Sequence, residues 1–298
     1  MTQVADRNFM CSVIIPAHNE AGVIGRCLSA IAEFGKAGRA QVIVVCNGCS
    51  DDTAAQARAC GDWVRVIETP VASKSVALNL GDQAASFFPR IYLDADVVLS
   101  ADALGALCEE LDGRKCLAAA PRAHLDLSAA SWAVRAFYAI DTRLPWARQG
   151  IGGSGVYGLT AEGRKRFDEF PPITADDGFV RLQFSRDERA FLDTAVSIVT
   201  PPRRLSELVA IKSRSHFGKY ELRSRFPQLM RNEGEPNTRA LARLALSPTN
   251  WPALAVYAYV KLAARRRGWR RFSDGDHQVW ERDQSSRLGG MALAPATR

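Results

Sequence analysis

Three groups of polar residues in the first hundred positions each follow a short apolar run. They lie at residues 16–20 (Pro-Ala-His-Asn-Glu), 47–51 (Asn-Gly-Cys-Ser-Asp) and 94–96 (Asp-Ala-Asp). In an open parallel sheet the carboxyl ends of the strands meet at one edge, and ligands bind there. If the apolar runs are parallel strands, these groups form one polar rim. Their convergence then predicts a binding site more strongly than any one group does.

Asp94 and Asp96 are the residues of this rim that could hold a metal ion. If the strand before them continues, alternation places both carboxylates on one side, where they repel each other unless a cation lies close by. Carboxylate oxygens suit Mg²⁺ or Mn²⁺, which often bridge to substrate phosphates. The other interpretation is a solvated acidic turn that caps a helix beginning near Ala101. A lone Asp-x-Asp does not decide between the two.

The other polar residues near this rim suit the recognition of a nucleotide. Asn47 and Glu20 can form hydrogen bonds to a nucleoside. Lys74 follows Ser73, a candidate helix cap, and can offer charge to a phosphate beside the helix amides. These residues also have interpretations without a binding role. Asn47-Gly48 could be a simple turn, since both residue types tolerate positive φ, and Lys74 could be a surface lysine.

Short apolar runs alternate with helical patterns through the first 120 residues, which predicts the elements that position this rim. Runs that are apolar throughout are typical of strands covered on both faces, and their alternation with helices favours a parallel, doubly wound α/β sheet. The predicted strands are residues 11–15, 41–46, 63–67, 90–93 and 117–120, and helices are expected to begin near residues 23, 51, 74, 101 and 128. A glycine-rich loop at residues 150–155 precedes one more short strand.

The composition is that of a folded globular protein with an excess of positive charge. The chain has 298 residues, 47% of them hydrophobic and 24% charged, and a formal net charge of +7. Many basic residues lie late in the sequence, which indicates an anionic partner such as a diphosphate-bearing substrate or lipid headgroups. The basic clusters lack an interleaved aromatic platform, which argues against a nucleic-acid partner. Seven cysteines without a regular framework fit free thiols in a reducing compartment, so a cytoplasmic protein is expected.

The end of the chain is predicted to be a helical basic extension at residues 238–283, after an α/β domain at residues 1–237 and before a mobile polar tail at residues 284–298. Its apolar stretch is about half of the ~20 residues that a membrane span needs. Leu254, Tyr257, Lys261 and Arg265 fall at helical spacing within it. Such a helix could lie in the headgroup plane of an anionic membrane, with aromatics inward and arginines on phosphates. A helix packed on the α/β domain with a solvated basic end explains the same pattern, and both interpretations remain open.

Four motifs resemble those of the family-2 glycosyltransferases, in the same order and with similar spacing. Residues 13–20 (Val-Ile-Ile-Pro-Ala-His-Asn-Glu) look like the opening motif, and residues 47–53 (Asn-Gly-Cys-Ser-Asp-Asp-Thr) like the second, with Asn47 in place of the usual Asp. Residues 74–79 (Lys-Ser-Val-Ala-Leu-Asn) match the third motif and residues 93–96 (Leu-Asp-Ala-Asp) the metal-binding one. The resemblance covers about residues 10–185. It implies a GT-A fold, a nucleoside-diphosphate sugar donor and inversion at the anomeric carbon.

The resemblance also implies which residues bind the nucleoside. Pro16, His18 and Glu20 would line its pocket, and Asn47 would face the base, with Asp51 supporting that loop. An amide oxygen still accepts a hydrogen bond from a uracil-type N–H, so a UDP-sugar is the favoured donor.

Further positions of the donor and metal sites follow from the same resemblance. Lys74 would lie near the diphosphate, Asp94 near the ribose or sugar, and Asp96 would bind a divalent ion, Mn²⁺ or Mg²⁺, with Asp94 beside it. Gly153 and Ser154 belong to the glycine loop, whose backbone could approach the donor sugar or the acceptor, or could form an ordinary turn.

The resemblance extends to an acidic pair and a basic stretch in the second half. The family has its catalytic base in an acidic pair at the start of a later helix, here Asp176 and Asp177, with Asp177 in the place of the base. A carboxylate there would accept the proton of the acceptor hydroxyl, although an N-terminal helix cap also explains the pair. Arg214, with Lys212 and His216, loosely resembles the basic loop that relatives fold over the diphosphate.

The resemblance therefore predicts an inverting transferase whose acceptor is lipid-linked or a glycan in bacterial polysaccharide synthesis. Its expected place is the cytoplasm or the inner face of the cell membrane. A nucleotidyltransferase is the first alternative, but such enzymes carry a glycine-rich phosphate loop where this chain has residues 16–20. A non-catalytic module that binds sugar nucleotides or membranes is the second, and the carboxylate of Asp177 argues against it.

Overall fold

The computed structural model describes residues 11–113, 115–148, 150–234 and 236–275. The strands within them, numbered along the chain, are β1 Cys11–Ala17, β2 Ala40–Asn47, β3 Val64–Thr69, β4 Arg90–Leu93, β5 Val98–Leu99, β6 Ala118–Leu125, β7 Val156–Leu159 and β8 Arg189–Val199. They form one sheet in the order β3-β2-β1-β4-β7-β6-β8-β5.

The sheet is mostly parallel, as the alternation of strands and helices predicts. β1 pairs in parallel with β2 and β4, β2 with β3, and β6 with β8. The exceptions are β7, which runs antiparallel to β4 and β6, and the short β5, which runs antiparallel to β8. The predicted doubly wound α/β architecture is confirmed. The antiparallel strands were not predicted, because the local pattern of a strand does not encode its direction.

Helices cover the sheet and extend beyond it. They are α1 Ile24–Lys36, α2 Thr53–Ala59, α3 Lys74–Ala84, α4 Ala101–Asp112, α5 Trp132–Asp141, α6 Ala161–Arg164, α7 Asp176–Leu182, α8 Leu205–Arg225, α9 Thr238–Ala245 and α10 Trp251–Ser273. Short 3-10 turns occur at Pro145–Arg148, Pro227–Asn232 and Pro248–Asn250.

Two hydrophobic clusters cover the central strands, and β1 contributes to both. Val13 and Ile15 belong to the cluster that contains Leu28 of α1, whereas Ile14 belongs to the one that contains Leu78 of α3. Because successive residues of a strand point to opposite faces, this division shows that β1 is buried on both sides. The arrangement holds the ends of the parallel strands in fixed register beneath the polar rim.

Several element boundaries differ from those predicted, and β1 and β3 each end two residues later than expected, at Ala17 and Thr69. The strand expected at residues 117–120 continues to Leu125, because it pairs with β8 over its whole length. The helix expected from residue 128 begins at Trp132. The helix expected after Ser50 or Asp51 begins at Thr53, and the side chain of Asp51 accepts a hydrogen bond from the Thr53 N–H instead of capping the helix.

The helix α10 packs on the rest of the protein through a third cluster. Buried side chains of α5, α8 and α10 form it, including Phe137, Leu208 and Val260. Gly268 of α10 lies so close to α8 that a Cβ on it would be 2.8 Å from the carbonyl oxygen of Ser213. The sequence left open whether this helix packs on the protein or lies on a membrane, and in the structure it packs on the protein.

The row of residues predicted to contact a membrane faces the protein instead. Tyr257 is only 6% exposed, and Leu254 packs against the same cluster. Lys261 is half-buried, and only Arg265 is exposed. The prediction for this row is wrong, because helical spacing identifies a face but not what the face packs against.

Nowhere in the described part of the chain does a helix have the length and apolar character that crossing a bilayer requires. The predicted domain boundary after residue 237 stays a prediction. Residues 276–283 of the predicted extension, and the tail at residues 284–298, lie outside the described residues.

Candidate active site

Lys74 joins the two acidic loops that the sequence singled out. Its ammonium nitrogen lies 2.8 Å from Oδ1 of Asp94, after strand β4, and 3.1 Å from Oδ2 of Asp176, at the start of α7. Ser73 caps α3 and so positions Lys74, since its hydroxyl accepts a hydrogen bond from the N–H of Val76. The structure thus brings together side chains from loops that are far apart in the sequence.

The electrostatics of this cluster keep the lysine charged. Burial by itself would lower the pKa of Lys74, but the carboxylates of Asp176 and Asp94 raise it well above its usual value. The pKa of Asp176 is raised, because burial outweighs the attraction of Lys74 and because Asp177 adds negative charge. An ammonium group therefore lies between two carboxylates that would otherwise repel each other.

The two aspartates of α7 differ in accessibility. Asp176 is 7% exposed, and Lys74 holds its carboxylate. Asp177 is half-buried, and its Oδ1 accepts a hydrogen bond of 2.7 Å from the N–H of Gly178. Its Oδ2 lies 3.9 Å from the point where a Cβ on Gly152 would be. Asp177 therefore lies beside the glycine loop and is the more accessible of the two.

The glycine loop at residues 150–155 lies against the turn that follows β4. Gly153 and Gly155 have φ angles of +80° and +65°, which residues with side chains rarely adopt. A Cβ on Gly155 would lie 2.3 Å from Cγ2 of Val97. Only glycine permits this approach, so the loop and the turn form one unit.

The other residues of the loop serve different purposes. Ser154 is buried, and its hydroxyl donates a 2.8 Å hydrogen bond to the carbonyl of Val156, which stabilises the loop from within. Gly153 is exposed, and a Cβ on it would lie 3.3 Å from the ring of Trp146. The outer surface of the loop is therefore backbone beside an aromatic ring, a surface that a sugar could approach.

Asp94 and Asp96 lie on a turn and not on a continued strand. The carbonyl of Asp94 accepts a hydrogen bond of 3.1 Å from the N–H of Val97, directly after β4 ends. The strand does not continue through them, so the expectation from alternation that both carboxylates lie on one side does not apply here. Asp94 contacts Lys74, and the carbonyl of Asp96 accepts a hydrogen bond of 3.3 Å from Arg26 of α1. The charges of both aspartates add to burial in raising the pKa of the Cys27 thiol.

The donor atoms at this turn fit a divalent ion that arrives with a ligand. No group of three or more His, Cys, Asp or Glu side chains that could hold a metal ion occurs among the residues described. Asp96 and Asp94 offer carboxylate oxygens, which Mg²⁺ and Mn²⁺ prefer, and Mg²⁺ usually takes further ligands from phosphates and water. The ammonium group on Asp94 shows that a cation balances charge at this place. The pair suits an open site completed by a diphosphate.

A hydrogen-bond network joins the loops that follow β1 and β2. Asn47 is 3% exposed, and its amide nitrogen donates to the carbonyl of Ala17 at 2.9 Å. The ring N–H at Nδ1 of His18 donates to the carbonyl of Asn47. Pro16 is buried near the end of β1. Three of the residues predicted to bind the nucleoside therefore lie side by side.

Asp51 and Thr53 hold the second of these loops against the first. Asp51 accepts hydrogen bonds from the N–H groups of Thr53 at 3.0 Å and Ala21 at 3.2 Å. The Thr53 hydroxyl donates to Asp51 and accepts from the N–H of Glu20 at 2.7 Å. Burial acts to raise the pKa of Asp51, but these hydrogen bonds bring it below its usual value. The ionised carboxylate of Asp51 thus stabilises the rim beside the buried Glu20.

The sequence that builds this site matches a known family. The family described as glycosyl transferase family 2 matches residues 12–159, which contain strands β1 to β7 and the loops of the rim. The chain belongs to glycosyl transferase family 2. Among curated proteins, none matches the sequence of this glycosyl transferase.

Solved structures with a similar fold include two enzymes in complex with sugar nucleotides. A mannosyltransferase from Pyrobaculum calidifontis, in complex with GDP-Man and Mn²⁺, is 20% identical, with a TM-score of 0.59 over 94% of this chain and 85% of that chain. Glucosyl-3-phosphoglycerate synthase from Mycobacterium tuberculosis, in complex with Mn²⁺ and UDP-Glc, is 22% identical, with a TM-score of 0.52 over 73% of this chain and 79% of that one. At these identities the likeness shows the fold, which is GT-A-like.

The predicted basic loop of this glycosyl transferase is a helix. Lys212, Arg214 and His216 all lie within α8. Lys212 pairs with the buried Asp141 at 3.3 Å, and burial together with the nearby charge of Lys261 lowers the pKa of His216 to about 4. The prediction that these residues form a loop over a diphosphate is therefore wrong. A run of basic residues is equally compatible with a helix that packs its side chains against neighbours.

Sequence reasoning missed the charged network that braces α3. Asp82 pairs with Arg90 at 2.7 Å and with Arg164 at 2.9 Å, and it accepts a hydrogen bond of 2.5 Å from the Tyr92 hydroxyl. Asp82 is 7% exposed. The sequence did contain a signal for this network, because Asp82 lies one helical turn after Leu78 on the apolar face of α3. A carboxylate on a buried face requires partners.

Asn79 ties α3 to the segment that leads into α7. Its amide nitrogen donates to the carbonyl of Phe170 at 3.1 Å, and its side-chain oxygen accepts from the N–H of Phe170 at 2.8 Å. Lys74 makes a second connection to the same region through Asp176. The helix α3 therefore fixes the distance between the acidic pair and the turn at Asp94.

Proposed function

We propose that this glycosyl transferase moves a sugar from a nucleoside-diphosphate donor to an acceptor hydroxyl, with inversion at the anomeric carbon. The observation that carries the proposal is the contact of Lys74 with both Asp94 and Asp176. It sets a phosphate-attracting charge beside the acidic pair of α7. An inverting displacement needs these groups together, because charge develops on the leaving diphosphate while the incoming hydroxyl loses its proton.

The donor in this proposal lies along the rim of the parallel strands. Lys74 meets the diphosphate and Asp94 the ribose or sugar. The amide nitrogen of Asn47 is engaged by Ala17, so its side-chain oxygen is left as an acceptor, which suits the N–H of uracil and favours a UDP-sugar. The residues proposed to surround the donor are Pro16, His18, Glu20, Asn47, Asp51, Lys74, Asp94, Gly153 and Ser154.

A divalent ion, Mn²⁺ or Mg²⁺, is the cofactor we propose. Asp96, with Asp94, would hold it together with oxygens of the diphosphate. When bound, the ion would neutralise charge on the leaving group. Support comes from the solved mannosyltransferase with GDP-Man and Mn²⁺ and from the synthase with UDP and Mg²⁺.

Asp177 is the general base of the proposed reaction. The acceptor oxygen forms a bond to the anomeric carbon while the bond from that carbon to the diphosphate breaks. The acceptor proton passes to Asp177, and the nucleoside diphosphate leaves. Its accessible position beside the glycine loop supports this role, whereas Asp176 is held by Lys74 and positions that lysine.

For the acceptor we propose a hydroxyl of a lipid-linked molecule or of a glycan in polysaccharide synthesis. The proposed place of action is the cytoplasmic face of the cell membrane. The basic second half of the chain supports an acceptor or surface that carries negative charge.

The alternatives have less support. Membership of glycosyl transferase family 2 disfavours a nucleotidyltransferase. A non-catalytic binding module would not require a carboxylate with the accessibility of Asp177 beside the glycine loop. The decisive difference is turnover of the donor.

The test is a panel of UDP-, GDP- and dTDP-sugars, with and without Mn²⁺, in which donor-induced thermal stabilisation and release of nucleoside diphosphate are both measured. We expect one class of donor to stabilise the full chain and to be turned over only when metal is present. Stabilisation without any turnover, with a range of acceptors, would support the binding module. If no donor stabilises the chain or is turned over, the proposal is rejected.

A further inference from the structure

The exposed large apolar side chains of this protein concentrate at its last two helices. Among the described residues, nine large hydrophobic side chains are exposed, and five of them lie between residues 246 and 269. They are Leu246, Trp251, Tyr259, Leu262 and Trp269, with exposed fractions of 83%, 60%, 60%, 71% and 54%. Single exposed apolar residues are ordinary, but a concentration of this kind marks an interaction surface.

Four of these side chains share one face of α10. At ~100° per residue, Trp251, Leu262 and Trp269 fall within about 20° of one line along the helix, and Tyr259 lies within about 80° of it. The buried residues of α10 lie on the opposite side; they are Tyr257, Val260, Ala264 and Gly268. We define the outer face of α10 as the surface formed by Trp251, Tyr259, Leu262 and Trp269.

Leu246 lies beside the start of this outer face. The indole N–H of Trp251 donates a 3.0 Å hydrogen bond to the carbonyl of Ala245, the last residue of α9. This contact brings the end of α9 against the first turn of α10. Leu246, the most exposed side chain of the group, therefore follows directly after the residue that Trp251 of the outer face contacts.

The segment that carries the outer face is positively charged. Residues 237–273 contain eight lysines and arginines and no aspartate or glutamate. Arg265, Arg266 and Arg270 are exposed, and at ~100° per residue they flank the outer face. A partner surface that complements the outer face and its arginines would carry negatively charged groups above an apolar layer.

We propose that the outer face of α10, together with Leu246, docks on the surface of an anionic lipid bilayer. Tryptophan and tyrosine favour the bilayer interface, where the rings enter the boundary of the acyl chains and the polar atoms stay among the headgroups. The flanking arginines pair with lipid phosphates. A helix of 23 residues lying flat would contact about 35 Å of membrane.

Other occupants fit the surface less well. A second copy of the chain would bring two stretches of the same sign of charge together, which is repulsive. A nucleic acid would suit the arginines and rings but gains nothing from Leu246 and Leu262, which are the most exposed members of the group. The inference is independent of the proposed sugar transfer, because the outer face lies opposite the side of α10 that packs on the catalytic domain.

Flotation of the full chain with vesicles, without donor or metal, tests this docking surface. The vesicles are phosphatidylcholine with or without phosphatidylglycerol, at low and high salt. We expect the wild type to float with phosphatidylglycerol vesicles at low salt and to be largely released at high salt. The triple variant Trp251→Ser, Tyr259→Ser and Leu262→Ser should lose about tenfold or more in partitioning, since its anchoring area is removed. The triple variant Arg265→Gln, Arg266→Gln and Arg270→Gln should lose the preference for anionic vesicles.

Trp132→Ser is the matched control, because Trp132 is 61% exposed but lies on α5. It should float like the wild type, and all variants should keep the wild-type melting temperature within a few degrees. The proposal fails if the wild type does not float with anionic vesicles, if the apolar triple variant floats as well as the wild type, or if Trp132→Ser loses as much. It also fails if single-stranded RNA displaces the protein from vesicles and its binding depends on the same arginines. Donor turnover, measured separately, is expected to be unaffected in detergent-free assays with a soluble acceptor.

Discussion

Lys74 lies 3.1 Å from Asp176, so that one ion pair joins the start of α3 to the start of α7. The same ammonium also contacts Asp94. Because Asp176 is buried and Asp177 lies next to it in sequence, the lysine is the main source of positive charge for the pair. Its removal should therefore change both the stability of the fold and the chemistry of the site.

Lys74→Met should destabilise the protein in a pH-dependent manner. The folded pKa of Asp176 is above its unfolded value, so the contribution of this carboxyl to stability is largest below about pH 4 and falls as the pH rises. Lys74 limits that fall, because it lowers the pKa of Asp176. We expect the variant to lose about 1–3 kcal/mol in free energy of unfolding at neutral pH and clearly less near pH 4. The loss is smaller than for a fully buried ion pair, because the cluster is partly exposed.

Urea unfolding across this pH range measures the effect of Lys74→Met. Lys115→Met, at an exposed lysine, is the control and should show no pH-dependent difference from the wild type. An equal loss of stability at neutral and acidic pH would contradict the assigned coupling.

Asp177→Asn should keep donor binding and lose at least about two orders of magnitude in transfer rate, the usual scale for loss of a general base. Steady-state kinetics with donor-induced thermal shifts separates binding from turnover. Asp187→Asn removes a carboxylate from an exposed position and should remain active. If Asp177→Asn is near wild type while Asp176→Asn is inactive, the role of base moves by one residue.

Asp96→Asn should abolish metal-dependent behaviour with little loss of fold. We expect chelation to stop transfer by the wild type, and Mn²⁺ to restore it. In the variant, Mn²⁺ should no longer increase the thermal stabilisation given by a nucleoside diphosphate, which is a readout that does not depend on activity. Asp112→Asn, at an exposed site on α4, should respond to Mn²⁺ as the wild type does. Full activity of the wild type in excess chelator would reject the proposed metal.

Gly155→Ala should disturb the turn at Asp94 as well as the backbone. A Cβ there would lie 2.3 Å from Val97 Cγ2 and 3.4 Å from Asp94 Oδ2, at a φ of +65°. Gly38→Ala is a matched control, since Gly38 has a φ of +68° and no neighbouring atom within 4 Å. We expect the control to cost about 1 kcal/mol and Gly155→Ala about 1–3 kcal/mol more, with reduced turnover only in the latter. Similar stability and activity for the two variants would show that the contact with the turn is unimportant.

Asp82→Ala should be among the most destabilising substitutions. It leaves the guanidinium groups of Arg90 and Arg164, both largely buried, without their shared carboxylate. The expected loss in free energy of unfolding is about 3–5 kcal/mol. Glu162→Ala removes an exposed ion pair with Lys165 and should cost no more than about 1 kcal/mol. Chemical denaturation of both variants checks the contrast, and comparable losses would contradict it.

Local patterns in the sequence were sufficient to place the rim of the site. The apolar runs before Pro16, Asn47 and Asp94 became parallel strands, and Ser73 became the cap of α3. The start of α7 at Asp176 was also predicted correctly. These features depend on hydrophobic periodicity and on capping, which involve residues close together in the chain.

The tertiary structure alone decided which of these residues meet and which faces are buried. That Lys74 pairs with Asp176, that Asp94 lies within reach of Lys74, and that Gly155 packs against Val97 depend on contacts between distant segments. Likewise, helical spacing outlined α10 but did not tell its buried row from its outer face. A periodic pattern records that a face is apolar, whereas its partner is determined by packing of the whole chain, which no local window of sequence contains.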